Sequence, residues 1–173
     1  MSLIKIVILA LIMILTTKIG IEKASTYTVR LEELNKFKES LCFLKTKIEF
    51  TYEPLNEIFK EISSLVYENK ENIYKELTSK SIDDGSDNSL FLSWQNATKT
   101  ILNSVKNEDL IIIRNFGKLL GKTDKQGQIS EIELTKSLIE KQIKNAEEEK
   151  IKNEKLYKSM GIVTGLGICI ILI

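Results

Sequence analysis

The string Gly117-Lys118-Leu119-Leu120-Gly121-Lys122-Thr123 carries the strongest chemical suggestion in this sequence, because a glycine-rich loop ending in Lys-Thr is a common cradle for phosphate. The spacing denies it. A phosphate loop needs four residues between its glycines, and here there are three. The string also falls on or at the end of an expected helix, so no row of free N–H groups faces a ligand. The structural reading is that Gly121 ends one helix, Asp124 caps the next, and Gly117 allows close packing. Asp83-Asp84-Gly85-Ser86-Asp87-Asn88 has the look of a calcium loop, but the alternating ligands and the closing Glu are missing, and Asp87 reads as a helix N-cap. Glu32-Glu33 and Glu147-Glu148-Glu149 lie among lysines on polar faces, where nothing apolar would raise a carboxyl pKa. The chain has no His, which excludes imidazole bases, His-based triads and HExxH zinc sites. No enzyme activity, cofactor, metal or small-molecule substrate is expected. With 25 Lys+Arg against 24 Asp+Glu, no field gathers nucleic acid, and the few aromatic residues are not interleaved with a basic patch.

The elements that must hold these residues begin and end with apolar segments. Leu3 to Ile21 contains only Lys5 and Lys18 as charges, both near its edges. At 1.5 Å per residue it makes a rod of roughly 28 Å, close to the hydrocarbon thickness of a bilayer. Thr16-Thr17-Lys18-Ile19-Gly20 lacks the small-x-small pattern of a signal cleavage site and no basic stretch precedes the apolar core, so an uncleaved anchor is expected. Met160 to Ile173 is uncharged; with Leu156, Tyr157 and a snorkelling Lys158 it reaches roughly 27 Å. Gly161 and Gly165 form a GxxxG, which permits close approach of another membrane helix, and the N-terminal segment is the nearest partner. Lys23, Arg30, Lys36 and Lys38 follow the first segment, and Lys141, Lys144, Lys150, Lys152, Lys155 and Lys158 precede the second. The positive-inside rule then puts the middle of the chain in the cytoplasm. Cys42 on an apolar helix face and Cys169 in the second segment read as two buried, unpaired thiols.

Between the anchors the period is helical throughout. Leu31, Leu34, Phe37, Leu41, Leu44 and Ile48 stripe one helix that ends near Tyr52, because Pro54 disfavours helical geometry before it and suits the first turn after it. Leu55, Ile58, Phe59, Ile62, Leu65 and Val66 stripe a second, and a short third runs over 71–80. A fourth carries Leu90, Phe91, Trp94, Ala97, Ile101, Leu102 and Val105, with Trp94 as core anchor. Asn107 caps a fifth, whose Leu110-Ile111-Ile112-Ile113 run is buried on more than one side. From about Lys125 the last helix, striped by Ile129, Ile132, Ile139, Ile143 and Ala146, continues into the second apolar segment as one rod. No segment alternates at period two. The fold class is all-α: a cytoplasmic bundle of about six helices over 23–158, flanked by transmembrane helices at 1–22 and 159–173.

Across nearly its whole length the chain resembles the stage III sporulation protein AB family of endospore-forming bacteria. The resemblance rests on Ile48-Glu49-Phe50-Thr51-Tyr52-Glu53-Pro54-Leu55 and on Phe116-Gly117-Lys118-Leu119-Leu120-Gly121-Lys122-Thr123-Asp124 with Gln128 four residues on. Ala146-Glu147-Glu148-Glu149 and Lys155-Leu156-Tyr157-Lys158-Ser159-Met160-Gly161 before the apolar tail add to it. Met160 stands where the family usually has Leu, a volume-conserving change; residues 67–107 match only in character. The resemblance implies a non-enzymatic membrane component of the channel linking mother cell and forespore, placed in the mother-cell membrane. It is similar to the cytoplasmic domain of type II secretion inner-membrane platform proteins, which implies coupling to a cytosolic secretion-type ATPase, the stage III sporulation protein AA, and to other channel components. Tyr52, Pro54, Gly117, Leu120, Gly121, Asp124 and Gln128 would then serve partner contact or packing, and Gly161 and Gly165 membrane-helix packing beside lipid. From a different class, a membrane-anchored helical signalling or regulatory coupling protein would use the long final helix as a transmission rod, but neither end leaves room for a sensor domain. A carboxylate-based membrane enzyme would need inward-facing acids, and the apolar stripes hold none.

Overall fold

The structure, a computed structural model, describes residues 3–51, 53–79, 87–101 and 103–172. Among them are six α-helices and no strand: α1 (Leu3–Phe50), α2 (Leu55–Leu65), α3 (Ile73–Ser79), α4 (Asp87–Ala97), α5 (Asn107–Leu119) and α6 (Lys125–Leu172). The fold is all-α, as the 3.6-residue period implies. Two compact units emerge: Met1–Leu31 with Asn145–Ile173, and Glu32–Lys144. α1 and α6 are each 48 residues long and unbroken, and neither contains a Pro.

The central unit, Glu32–Lys144, is organised around aromatic rings. Trp94 is fully buried; Phe116 meets it edge-on at 5.5 Å between centroids, Tyr74 at 5.9 Å, and Phe37 tilts against it at 6.5 Å. Phe59 and Tyr67 extend the cluster through Tyr74. Each such pair adds about 0.5–1.5 kcal/mol beyond its burial. Leu34, Leu41, Leu44, Ile58, Ile62 and Ile73 close the core around the rings. Tyr74 shares a 2.6 Å hydrogen bond with the Ser40 hydroxyl, which also donates to the Phe37 carbonyl at 2.7 Å. Burial pushes the hydroxyls of Tyr74 and Tyr67 well above their ordinary pKa.

Several sequence expectations are corrected by which arc of each helix is covered. Cys42 is exposed, because it sits 100° round the helix from the buried Leu41. Leu65 is exposed at the rim of an α2 arc centred on Ile62 and Val66, and Ile111 faces solvent while Leu110, Ile113 and Phe116 are buried. α5 begins with Lys106 as N-cap and Asn107 as first helical residue; the buried Asp109 carboxylate accepts the Lys106 N–H at 2.9 Å. α3 covers only Ile73–Ser79, capped by Asn72, whose side-chain oxygen accepts the Lys75 N–H at 3.0 Å. The fourth helix tightens into a 3₁₀ turn over Thr98–Ile101, where the Thr98 and Thr100 hydroxyls donate to carbonyls three residues back at 2.7 and 2.8 Å. The Asp83–Ser86 loop, Tyr52 and Leu102 lie outside the described residues, and so does the Asp87 side chain with its capping role.

In the other unit the N-terminal part of α1 and the C-terminal part of α6 form an antiparallel pair. Both helices are long and apolar enough to cross a membrane, and within the most apolar window of each only 6% and 17% of residues are buried.

Candidate docking junction and the helix pair

The central unit brings together two segments that lie some seventy positions apart in the chain. α5 ends where Leu120 adopts φ −61°, ψ 120° and Gly121 follows at φ +78°, the dihedrals of a type II turn whose third position favours glycine. A Cβ on Gly121 would lie 3.3 Å from Leu90 Cδ2 and 3.6 Å from Leu55 Cδ1, so the turn rests on the start of α2. Pro54 is the N-cap of α2, one position earlier than expected, and its carbonyl accepts the Glu57 N–H at 3.0 Å. The Lys125 ammonium donates to the Glu49 carbonyl at the end of α1. The α1–α2 corner and the α5–α6 junction therefore form one end of the unit.

Most of the residues singled out there have work inside the fold. Asp124 is the N-cap of α6: its Oδ1 accepts the Gly127 N–H at 2.9 Å and its carbonyl accepts the Gln128 N–H at 2.9 Å. Gln128 Nε2 donates to the Thr123 carbonyl at 3.0 Å, tying the turn to the helix it precedes. Leu120 is buried. Gly117 lies in the interior of α5 beneath Trp94; a Cβ there would overlap Cδ1 and Cγ of the indole, and the indole Nε1 donates to the Ile113 carbonyl at 2.8 Å. Lys118, Gly121, Lys122 and Pro54 remain exposed. The corner is clamped electrostatically by Lys47, which reaches Glu61 at 2.6 Å and Glu53 at 2.9 Å. The hydrogen bonds that Lys47 donates, to Glu61 first and to Glu53 second, raise its pKa.

In the helix pair, glycines set the crossing. A Cβ on Gly20 would come within 2.7 Å of the Tyr157 carbonyl and 2.9 Å of Gly161 Cα; one on Gly161 would come within 2.8 Å of the Thr16 carbonyl. At Gly165 a Cβ would strike the Thr16 hydroxyl and Met13 Sδ, whereas Gly167 has nothing within 4 Å. Further along, Tyr27 and Tyr157 stack at 5.9 Å, and the buried Arg30 donates to Glu149 at 2.8 Å. Bare backbone at the crossing lets the helices approach closely enough for dispersion contacts along their length.

A family model described as Stage III sporulation protein AB matches residues 5–173. The chain belongs to the stage III sporulation protein AB family. It is 28% identical over 163 residues to Stage III sporulation protein AB of Bacillus subtilis (strain 168), an alignment covering 93% of this chain and 94% of that protein. No solved structure matches it.

In this member of the family, spacing alone missed several buried polar residues of the central unit. Asn72 is fully buried and donates to the Ser63 hydroxyl at 3.1 Å and the Lys70 carbonyl at 2.7 Å, besides capping α3. Tyr74, Ser40 and Asp109 are likewise polar and fully buried. A polar residue within an apolar stripe was the available signal for Ser40, which falls three positions after Phe37; for Asn72 only its place before a helix pointed to it. Among the described residues no three Cys, Asp or Glu side chains gather as metal ligands.

Proposed function

We propose that this family member is a non-catalytic component of the sporulation channel between mother cell and forespore, anchored in the mother-cell membrane by two spans. Its helical domain lies in the cytoplasm and docks a secretion-type ATPase similar to the stage III sporulation protein AA, alongside other channel components. Family membership supports the sporulation role, and the two exposed apolar helix segments support the anchor. The observation that carries the docking reading is the convergence of residues 49–51 and 53–55 with residues 117–128 at one end of the unit. There Gly117, Leu120, Asp124 and Gln128 are spent on rigidity, which leaves Lys118, in the last turn of α5, and Lys122, in the turn after it, exposed on a braced junction. A preorganised surface loses little entropy on binding.

Charge reversal tests it without straining the fold. Lys118→Glu with Lys122→Glu should abolish capture of the purified ATPase by the full-length protein in detergent, while Lys141→Glu, about 24 Å further along α6, leaves capture intact. Capture unchanged by the double reversal, with an unchanged melting curve, sinks the docking assignment.

A further inference from the structure

The Gly20–Gly161 crossing has a consequence on its flank. Where two backbones touch without side chains between them, the neighbouring small residues leave a hollow, and here Thr16, Gly20, Gly161 and Thr164 border a groove of about 320 Å³. Lys23 and Tyr157 stand at one end of it. We propose that this groove holds an acyl chain of an anionic phospholipid whose phosphate pairs with Lys23, a proposal that rests on the membrane reading above.

Charge and depth favour this occupant. Lys158 is engaged by Glu154 at 2.6 Å and Arg30 by Glu149 at 2.8 Å, but the Lys23 ammonium is exposed and has no carboxylate partner among the described residues. Glu22 precedes it, yet points 100° away round the helix. Lys23 lies two residues beyond Ile21, the last residue of the apolar segment, which on the membrane reading sets it at headgroup depth, the level that suits the amphipathic ring of Tyr157. A basic residue beside a hollow between membrane helices is the chemistry that selects anionic lipids. A second copy is a poor occupant: inserted in the same orientation, it brings its own Lys23 and Lys155 to the same depth, where like charges repel.

The test uses the full chain in neutral detergent with equal phosphatidylglycerol and phosphatidylcholine, and native mass spectrometry to count retained lipids. The unmodified protein should retain phosphatidylglycerol over phosphatidylcholine by about fivefold. Lys23→Gln, at an exposed position, should reduce that preference to parity, and Thr164→Phe, which fills the groove with the charge intact, should lower retention of both lipids. A preference that survives Lys23→Gln overturns the proposal, as does undiminished retention in Thr164→Phe. A dimer that Thr164→Phe abolishes assigns the groove to a second copy and overturns it too. Flotation separates the underlying reading: a chain that fails to float with phosphatidylcholine vesicles removes the membrane anchor itself, whereas one that floats without lipid preference removes only this site.

Discussion

Gly117 shows how much of this domain depends on a single missing atom. Alanine there improves helix propensity by about 1 kcal/mol. Its Cβ, however, would overlap the Trp94 ring, which cannot retreat without giving up its hydrogen bond to the Ile113 carbonyl. Overpacking of a held neighbour wins, and Gly117→Ala should destabilise the protein by about 2 kcal/mol in chemical denaturation. Adding Trp94→Leu should cost less than the sum of the two single changes; strict additivity would show that the ring moves freely. Tyr74 gives a pH effect with a definite sign. Its folded pKa is raised, so the unfolded state releases the phenolic proton first as pH climbs through about 10, and stability falls with rising pH in that window. Tyr74→Phe should lose about 1 kcal/mol at neutral pH with the Ser40 bond, yet decline less steeply above pH 10. Equal slopes for the two proteins would refute the assignment.

At the level of elements, the glycines of α6 supply their own control. Gly161→Val drives a side chain into the Thr16 carbonyl and the Gly20 backbone, while Gly167→Val enters open space. The Cys169 sulfur lies 3.6 Å from the Leu9 carbonyl, so a Leu9→Cys variant offers a disulfide readout of the pairing. Crosslinking should drop several-fold in Gly161→Val and persist in Gly167→Val; parity between them would mean that the crossing does not depend on close approach. The helices themselves were legible because Leu34, Phe37, Leu41 and Leu44 repeat at helical spacing, and a single Pro left few places for a break. The Gly121 turn and the Asp124 cap were legible because each needs a particular residue type at a particular position. Part of what escaped was set by neighbours distant in sequence. Whether Leu65 or Ile111 is covered depends on which helix lies opposite; the buried Asn72 escaped although its partners Ser63, Lys70 and Lys75 are near in sequence, because the turn that brings them together is irregular. The 3₁₀ turn after Ala97 escaped for a local reason, the hydroxyls of Thr98 and Thr100 competing for carbonyls one position nearer than an α-helix uses.

Over the whole molecule, near-neutral composition conceals an ordered charge distribution. Apart from Lys5 and Lys18, every charged residue lies between Glu22 and Lys158, and lysines and an arginine follow the first apolar segment and precede the second. Loops rich in Lys and Arg resist translocation, so on the proposed two-span reading both flanks favour the same face for everything between them. The orientation can be read with one reporter. In a chain with Cys42→Ser and Cys169→Ser, neither of which removes a disulfide, Lys141→Cys places a thiol at an exposed position of α6. A membrane-impermeant maleimide should leave it unlabelled in intact cells and label it fully once the membrane is permeabilised. Labelling of intact cells would put the domain outside, overturning the orientation and, because the proposed partner is a cytosolic ATPase, the docking assignment with it.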